Sequence, residues 1–334
     1  MDNQQRMRVL IVTNMWPSPE RPELGSFVRD QVEALRSLED PELELECFAF
    51  APGAYAAAAR ELRGSYSGQR FDVVHAHFGL TAWPSLVVRA QIHGLTLHGT
   101  DLRHRRSRTI TRAALPFIDL IGAASPELAR DVPGYPKRAV EILPCGVATD
   151  RFRPLDRRAA RESLALERDG RYLLFPADPA RLGKRYDRAQ AVAARCNAQL
   201  LTLGAIDPQQ VPLWINAANA VIAPSDHEGF GLAVLEAMAC NVPVCATPTG
   251  VHEAAMRGID AASCLPFDES AWSEVLGASL DQPDPRIESR PRAEEFSAVR
   301  MAERLLATWR SRLDSPLDSA AARNDGKHMS TPWD

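Results

Sequence analysis

The sequence predicts an α/β protein made of two doubly wound, parallel-sheet domains. Three observations carry that expectation. The chain has 334 residues, roughly twice the ~150 of an ordinary domain. Short apolar runs alternate with longer amphipathic stretches, as buried parallel strands do with the helices that join them. The alternation occurs twice, with a charged, proline-bearing break at Asp150–Asp156 between the halves.

In the first half the expected strands are Val9–Thr13, Leu43–Phe50, Phe71–His75, Leu95–Leu97, Ile118–Ala123 and Glu141–Leu143. Between the first two lies Ser26–Leu38, with Val28, Val32, Leu35 and Leu38 at helical spacing. Ser125-Pro126-Glu127 reads as a helix start, because serine caps free N–H groups and proline fits the first turn. In the second half the strands are Tyr172–Phe175, Leu200–Leu203, Ala220–Ala223, Val242–Ala246 and Cys264–Phe267. The helices there are Lys184–Cys196, Leu232–Cys240, Ala271–Leu280 and Ala298–Leu313. The stretch 314–334 is polar and aperiodic and is expected to be a disordered tail.

Composition excludes several classes. The net charge is −4, from 39 basic and 43 acidic residues, too balanced for a protein that coats nucleic acid. No run reaches the ~18 apolar residues of a membrane span, and Met1–Arg8 lacks the pattern of a signal peptide. The six cysteines form no C-x-x-C pair and no zinc-type cluster, so reduced thiols in the cytoplasm are expected. Of the basic residues 36 are arginine and three are lysine (Lys137, Lys184 and Lys327), so a lysine inside a motif stands out. The one dense basic stretch, Arg103–Arg112, could meet an anionic acceptor or an anionic membrane surface; its alternative is a solvated helix face.

Two tandem units of this kind bind ligands at the carboxyl ends of their strands. The most informative strand end is Pro224–Ala239. There a strand closes, Gly229-Phe230-Gly231 turns, and a helix opens at Leu232. Such a helix start offers free N–H groups and a partial positive charge suited to phosphate. Glu228 precedes the turn. Glu236 lies one helical turn in, where a carboxylate can accept from two adjacent hydroxyls such as those of a ribose.

Glu228-x7-Glu236 around Gly-Phe-Gly-Leu resembles the signature of glycosyltransferase family 4, the group 1 type. Further likenesses are Asp72–His77, Leu97-His98-Gly99-Thr100-Asp101, Ile142–Val147, Arg151–Pro154 and Trp214–Ser225, so the resemblance spans about Met7 to Leu313. It implies the GT-B fold, with two Rossmann-like domains facing across a cleft. Residues 1–153 would form the acceptor-side domain and 154–297 the donor domain, with the 298–313 helix packing back on the first. It also implies a retaining, metal-independent hexosyltransferase that needs no cofactor beyond its nucleotide-sugar substrate and acts on an unknown hydroxyl acceptor. The cysteines point to the cytoplasm, and the Arg103–Arg112 stretch could add peripheral contact at the inner face of the membrane.

Carried over residue by residue, the resemblance places Glu228 and His98 at the reacting centre. Glu236 takes the ribose, and the amides of Phe230, Gly231 and Leu232 take phosphate or sugar hydroxyls. Lys184 fits the donor-phosphate lysine, at the start of a helix. Gly25 fits a position where backbone amides face the donor, with Ser26 as the alternative reading, a plain helix cap. The family's Gly-Arg pair is replaced by Ala177-Asp178-Pro179, so the second positive charge is expected from Arg181, with Arg185 the other candidate. His77 reads at least as well as core packing or a strand cap, and Asp101 as a turn cap. Two rivals follow from the same fold: an epimerase or phosphorylase, and a non-catalytic nucleotide-sugar-binding homologue. A nicotinamide dehydrogenase is disfavoured, because Thr13–Pro17 holds no G-x-G-x-x-G.

Overall fold

The computed structural model describes residues 6–135, 139–204 and 206–314. The first sheet holds β1 (Met7–Thr13), β2 (Leu43–Ala49), β3 (Arg70–His77), β4 (Arg89–Leu97), β5 (Leu120–Ala123) and β6 (Glu141–Ile142). The second holds β7 (Tyr172–Phe175), β8 (Gln199–Thr202), β9 (Ala220–Ala223), β10 (Val244–Ala246) and β11 (Ala262–Cys264). Strand orders are β2-β1-β3-β4-β5-β6 and β11-β10-β9-β7-β8, and every pairing is parallel. The expected doubly wound architecture is therefore present twice.

The central strands are apolar along their whole length because helices cover both faces. β7, β9 and β10 are fully buried. The expectation at Cys264–Phe267 is displaced to Ala262–Cys264. That strand is the sheet edge and only half-buried, so it carries no clean apolar run to mark it. Ser125 caps as expected, its Oγ accepting from the Leu128 N–H at 3.1 Å. Ser26 does not cap: Gly25 holds the N-cap position in the left-handed conformation, φ 67°. A Cβ on Gly25 would lie 2.2 Å from the Met15 carbonyl, so the close approach of the β1 loop to the helix start requires glycine.

The helix Ala298–Asp314 returns to the first sheet. Ala298, Met301, Ala302, Leu305, Leu306 and Trp309 form its buried stripe, the i, i+3, i+4 spacing of an amphipathic helix. All but Met301 pack with Val9, Ile11, Val32, Leu35 and Val73 in one cluster. Trp309 is fully buried, and its Nε1–H donates to His75 Nδ1 at 3.1 Å. Arg310 adds an ion pair to Asp40. Of the expected tail 314–334, Asp314 ends this helix and the remainder lies outside the described residues. All six cysteines are free.

Trp309 is where the return helix is anchored. Trp309→Ala is expected to cost about 3–5 kcal/mol of unfolding free energy, measured by urea denaturation. A loss under about 1 kcal/mol would mean that the helix is held elsewhere.

Candidate functional site

In a doubly wound sheet the strand order reverses once, and the crevice there receives the ligand. The reversal lies between β1 and β3 in the first sheet and between β7 and β9 in the second. The loops leaving these strands meet around one cavity of about 720 Å³. Met15, Phe78, Arg181 and Glu228 represent the four loops in its lining. Gly25, His98, Lys184, Phe230, Gly231 and Leu232 also line it, so eight of the nine residues singled out in the sequence converge there.

The ninth, Glu236, is not in that lining. It lies half-buried one turn into the Leu232–Ala239 helix. Arg151 and Asp30 act on it electrostatically, and these two form a bidentate ion pair at 2.6 and 3.1 Å. Burial pushes the Glu236 carboxyl up to about 7; Asp30 adds to the shift, while Arg151 and Lys184 oppose it.

Glu228 is buried and accepts from Lys184 Nζ at 2.7 Å on both oxygens. Ser225 Oγ donates to the same carboxylate at 2.7 Å. Burial alone would raise this carboxyl, but Lys184, His252 and Ser225 outweigh it and hold the pKa below its ordinary value. Glu228 is thus a carboxylate at neutral pH, and Lys184 is its counter-ion. Lys184 does not open a helix: it closes the short turn Leu182–Lys184, and the helix starts at Tyr186. Arg185 is engaged by Asp187 and Asp226. Arg181 is exposed at the cavity, and among the described residues its guanidinium has no partner.

Gly231 caps the Leu232–Ala239 helix in the left-handed region, φ 99°. The first N–H groups of this helix, which have no intrahelical acceptor, point toward the cavity end. Phe230 is buried, and its carbonyl accepts from Val251 N–H at 2.7 Å.

The two domains touch across the cleft. A Cβ on Gly229 would lie 2.0 Å from the His98 carbonyl oxygen, so backbone meets backbone there and only glycine fits. Arg103 Nη1 donates to the Glu228 carbonyl at 3.0 Å, and Nη2 to Glu127 at 2.9 Å. Glu127 in turn accepts from Gly250 N–H at 3.0 Å. Arg103, read in the sequence as the start of an outward basic stretch, therefore belongs to the cleft. Arg105, Arg106, Arg108 and Arg112 do face outward, and among the described residues none has an ion pair.

Asp101 is more than a turn cap. Its buried carboxylate accepts from the N–H groups of His98, Gly99 and Gly79 and fixes the His98 turn. Sequence reasoning left His77 between a site role and core packing or strand capping. In the structure its Nδ1 lies 3.0 Å from His98 Nε2. Reading β3 two residues further, to His77, would have put both imidazoles at neighbouring strand ends. Among the described residues no group of three or more His, Cys, Asp or Glu side chains is placed to hold a metal ion.

Two parallel-sheet domains facing across such a cleft define the GT-B architecture. Residues 3–151 match the family described as Glycosyltransferase Family 4, and residues 175–282 match Glycosyl transferases group 1. The chain belongs to this glycosyltransferase family. It is 26% identical over 350 residues to the D-inositol 3-phosphate glycosyltransferase of Mycolicibacterium paratuberculosis, covering 88% of this chain and 78% of that protein. The Streptomyces scabiei protein of that name is 28% identical over 306 residues, covering 74% and 67%. Among solved structures, HepE of Anabaena in complex with UDP-glucose aligns with a TM-score of 0.68 at 17% identity, covering 92% of this chain and all of that one. Sucrose-phosphate synthase from Thermosynechococcus elongatus aligns at 0.66 and 18%, covering 93% and 100%.

The Glu236 shift has a stability consequence. Between its ordinary 4.5 and about 7 the folded chain keeps a proton that the unfolded chain releases. Its favourable contribution is complete below pH 4.5 and is lost as the pH rises through 7. Glu236→Gln should therefore melt higher than the wild type at pH 8, with the gap closing toward pH 5. Equal melting at pH 8 would show the carboxylate to be water-exposed.

Proposed function

We propose that this glycosyltransferase moves a hexose from a nucleotide-sugar donor to an acceptor hydroxyl, with retention of configuration and without a metal ion. The observation that carries the reading is the gathering of Lys184, Arg181, Glu228 and the Leu232–Ala239 helix start around one cavity. As the anomeric carbon–oxygen bond to the diphosphate breaks, negative charge builds on the leaving phosphate. Lys184, Arg181 and the helix amides lie where they can stabilise that charge. The acceptor oxygen forms its bond to the anomeric carbon from the same face. Its proton passes to the departing phosphate oxygen. Glu228, held ionised by Lys184, positions the sugar rather than bonding to it. Contact between Gly229 and His98 shuts the cleft against water, the competing acceptor.

HepE is described in complex with UDP-glucose, and the sequence relatives are named for transfer to D-inositol 3-phosphate. A UDP-hexose and a phosphorylated polyol are the first pair to test. Thermal shift against UDP, GDP and ADP sugars should show a melting rise with one series. In Glu228→Gln that rise persists while turnover drops about 100-fold or more. Arg181→Ala should weaken donor binding about tenfold, the loss of one charge-assisted contact. Full activity in Glu228→Gln would remove its role. The missing Gly-Arg pair favours a second reading, a binder without activity. Release of free sugar from the donor in the absence of acceptor separates the two.

The outward arginines support a peripheral surface. Arg105, Arg108 and Arg112 line a surface cavity of about 640 Å³. Trp83 (41% exposed) and Phe117 (58%) form a ring pair, and the Trp83 indole N–H donates to the Ile110 carbonyl of the helix Arg105–Ala114 that carries these arginines. Exposed cations, with exposed aromatic rings on the same part of the surface, suit an anionic membrane face, at about 1 kcal/mol per cation. Flotation with anionic vesicles should carry the protein at low salt and lose it in Arg105→Gln/Arg108→Gln/Arg112→Gln. Salt-independent behaviour would exclude the surface.

A further inference from the structure

Four groups form a chain behind the cavity. Trp309 Nε1–H donates to His75 Nδ1, so His75 carries its proton on Nε2 and donates to Thr96 Oγ1 at 2.8 Å. Next to it, its ring centroid 5.4 Å away, is His77. The His77 and His98 rings stack with centroids 5.3 Å apart, 19° from parallel. One proton lies between them, on the 3.0 Å line from His77 Nδ1 to His98 Nε2. Both rings are neutral: burial pushes His77 down to about 4, and burial with His77 beside it lowers His98 well below its ordinary value.

The placement of that proton is decided at the far side of His77. His77 Nε2 is fully buried and has no hydrogen-bond partner among the described residues. If His98 donated, His77 would have to carry its own proton on Nε2, leaving an N–H buried and unpaired. Such orphans are rare and cost about 1–3 kcal/mol, whereas an unpaired lone pair is better tolerated. If His77 donates, Nε2 keeps only a lone pair. His98 is then forced to hold its proton on Nδ1. That atom lies 4.0 Å from Cys145 Sγ, and both residues line the cavity. Burial pushes the Cys145 thiol up to about 12, so the sulfur is a neutral, weak acceptor that competes little for the Nδ1 proton.

We propose that His77 is a positioning residue: it fixes His98 as the Nδ1–H tautomer, so that His98 offers the cavity a hydrogen-bond donor and no base. The ligand group matched to that donor is a hydroxyl or carbonyl oxygen, and in the reading above it is a sugar hydroxyl of the donor. The role in transfer rests on that reading; the tautomer does not.

Histidine-selective 15N labelling tests the two separately. Long-range nitrogen–proton correlation of the wild type should show His98 protonated on Nδ1 and His77 protonated on Nδ1, with the pair assigned by their loss in His77→Asn and His98→Gln. In His77→Asn the amide N–H takes the place of the imidazole Nδ1–H, so His98 should stay an Nδ1–H tautomer. In His77→Asp the carboxylate accepts instead, and His98 should switch to Nε2–H. Kinetically, His77→Asn should keep kcat/KM for the sugar nucleotide within about threefold. His77→Asp should lose about tenfold or more while its affinity for the free nucleoside diphosphate is unchanged. A wild-type His98 protonated on Nε2 would overturn the proposal, even if His77→Asp proved unfolded. A wild-type His98 protonated on Nδ1, together with no sugar-nucleotide binding, would instead remove the transfer reading and leave the tautomer standing.

Discussion

The site depends on an ion pair that water cannot easily reach. Lys184 and Glu228 come from loops that end different strands, 44 residues apart. Burying either charge alone would cost several kcal/mol. Two short bonds between them and a third from Ser225 offset that cost. The arrangement keeps Glu228 ionised and Lys184 fixed at the cavity wall. It also explains why Glu236, equally acidic in sequence, behaves differently: among the described residues it has no direct cation partner, only the more distant fields of Lys184 and of an arginine already bound to Asp30. Two glutamates eight positions apart thus have opposite proton affinities, Glu228 lowered and Glu236 raised.

Closure of the cleft is built from the same residues. The Glu228 carbonyl receives Arg103 from the opposite domain, while the Glu228 carboxylate faces Lys184. Gly229, next in the chain, lets the two backbones touch. A hydrogen bond, an ion pair and a missing side chain on two consecutive residues couple domain contact to the geometry of the candidate site.

The preference for arginine has a structural explanation outside the cleft. Arg157, Arg161, Arg286 and Arg290 spend their guanidinium groups on backbone carbonyls at helix and loop ends of the second domain. Arg290 also reaches the carbonyls of Thr149 and Phe152, which fastens the linker between the domains. A planar fork with five donors can satisfy several carbonyls at once, which a lysine ammonium cannot do in that geometry. Lys184 is a lysine where a point charge faces a carboxylate.

Much of this was determined by sequence alone. Tyr172–Phe175 and Ala220–Ala223 were legible to the residue, because a strand buried on both faces must be apolar throughout. The return helix was legible from its 3.6-residue period; the family resemblance pointed to nine residues, eight of which the structure lines up around one cavity. Tertiary structure alone decided the rest. The direction of Arg103 depends on Glu127 and Glu228, the latter 125 residues away. The partnership of His77 with His98 depends on β3 lying beside β4, and the difference between Arg181 and Arg185 on where Asp226 falls. Periodicity reports which face of an element is buried. It carries no information about which distant group meets a side chain there, and charge, tautomer and closure are set by those meetings.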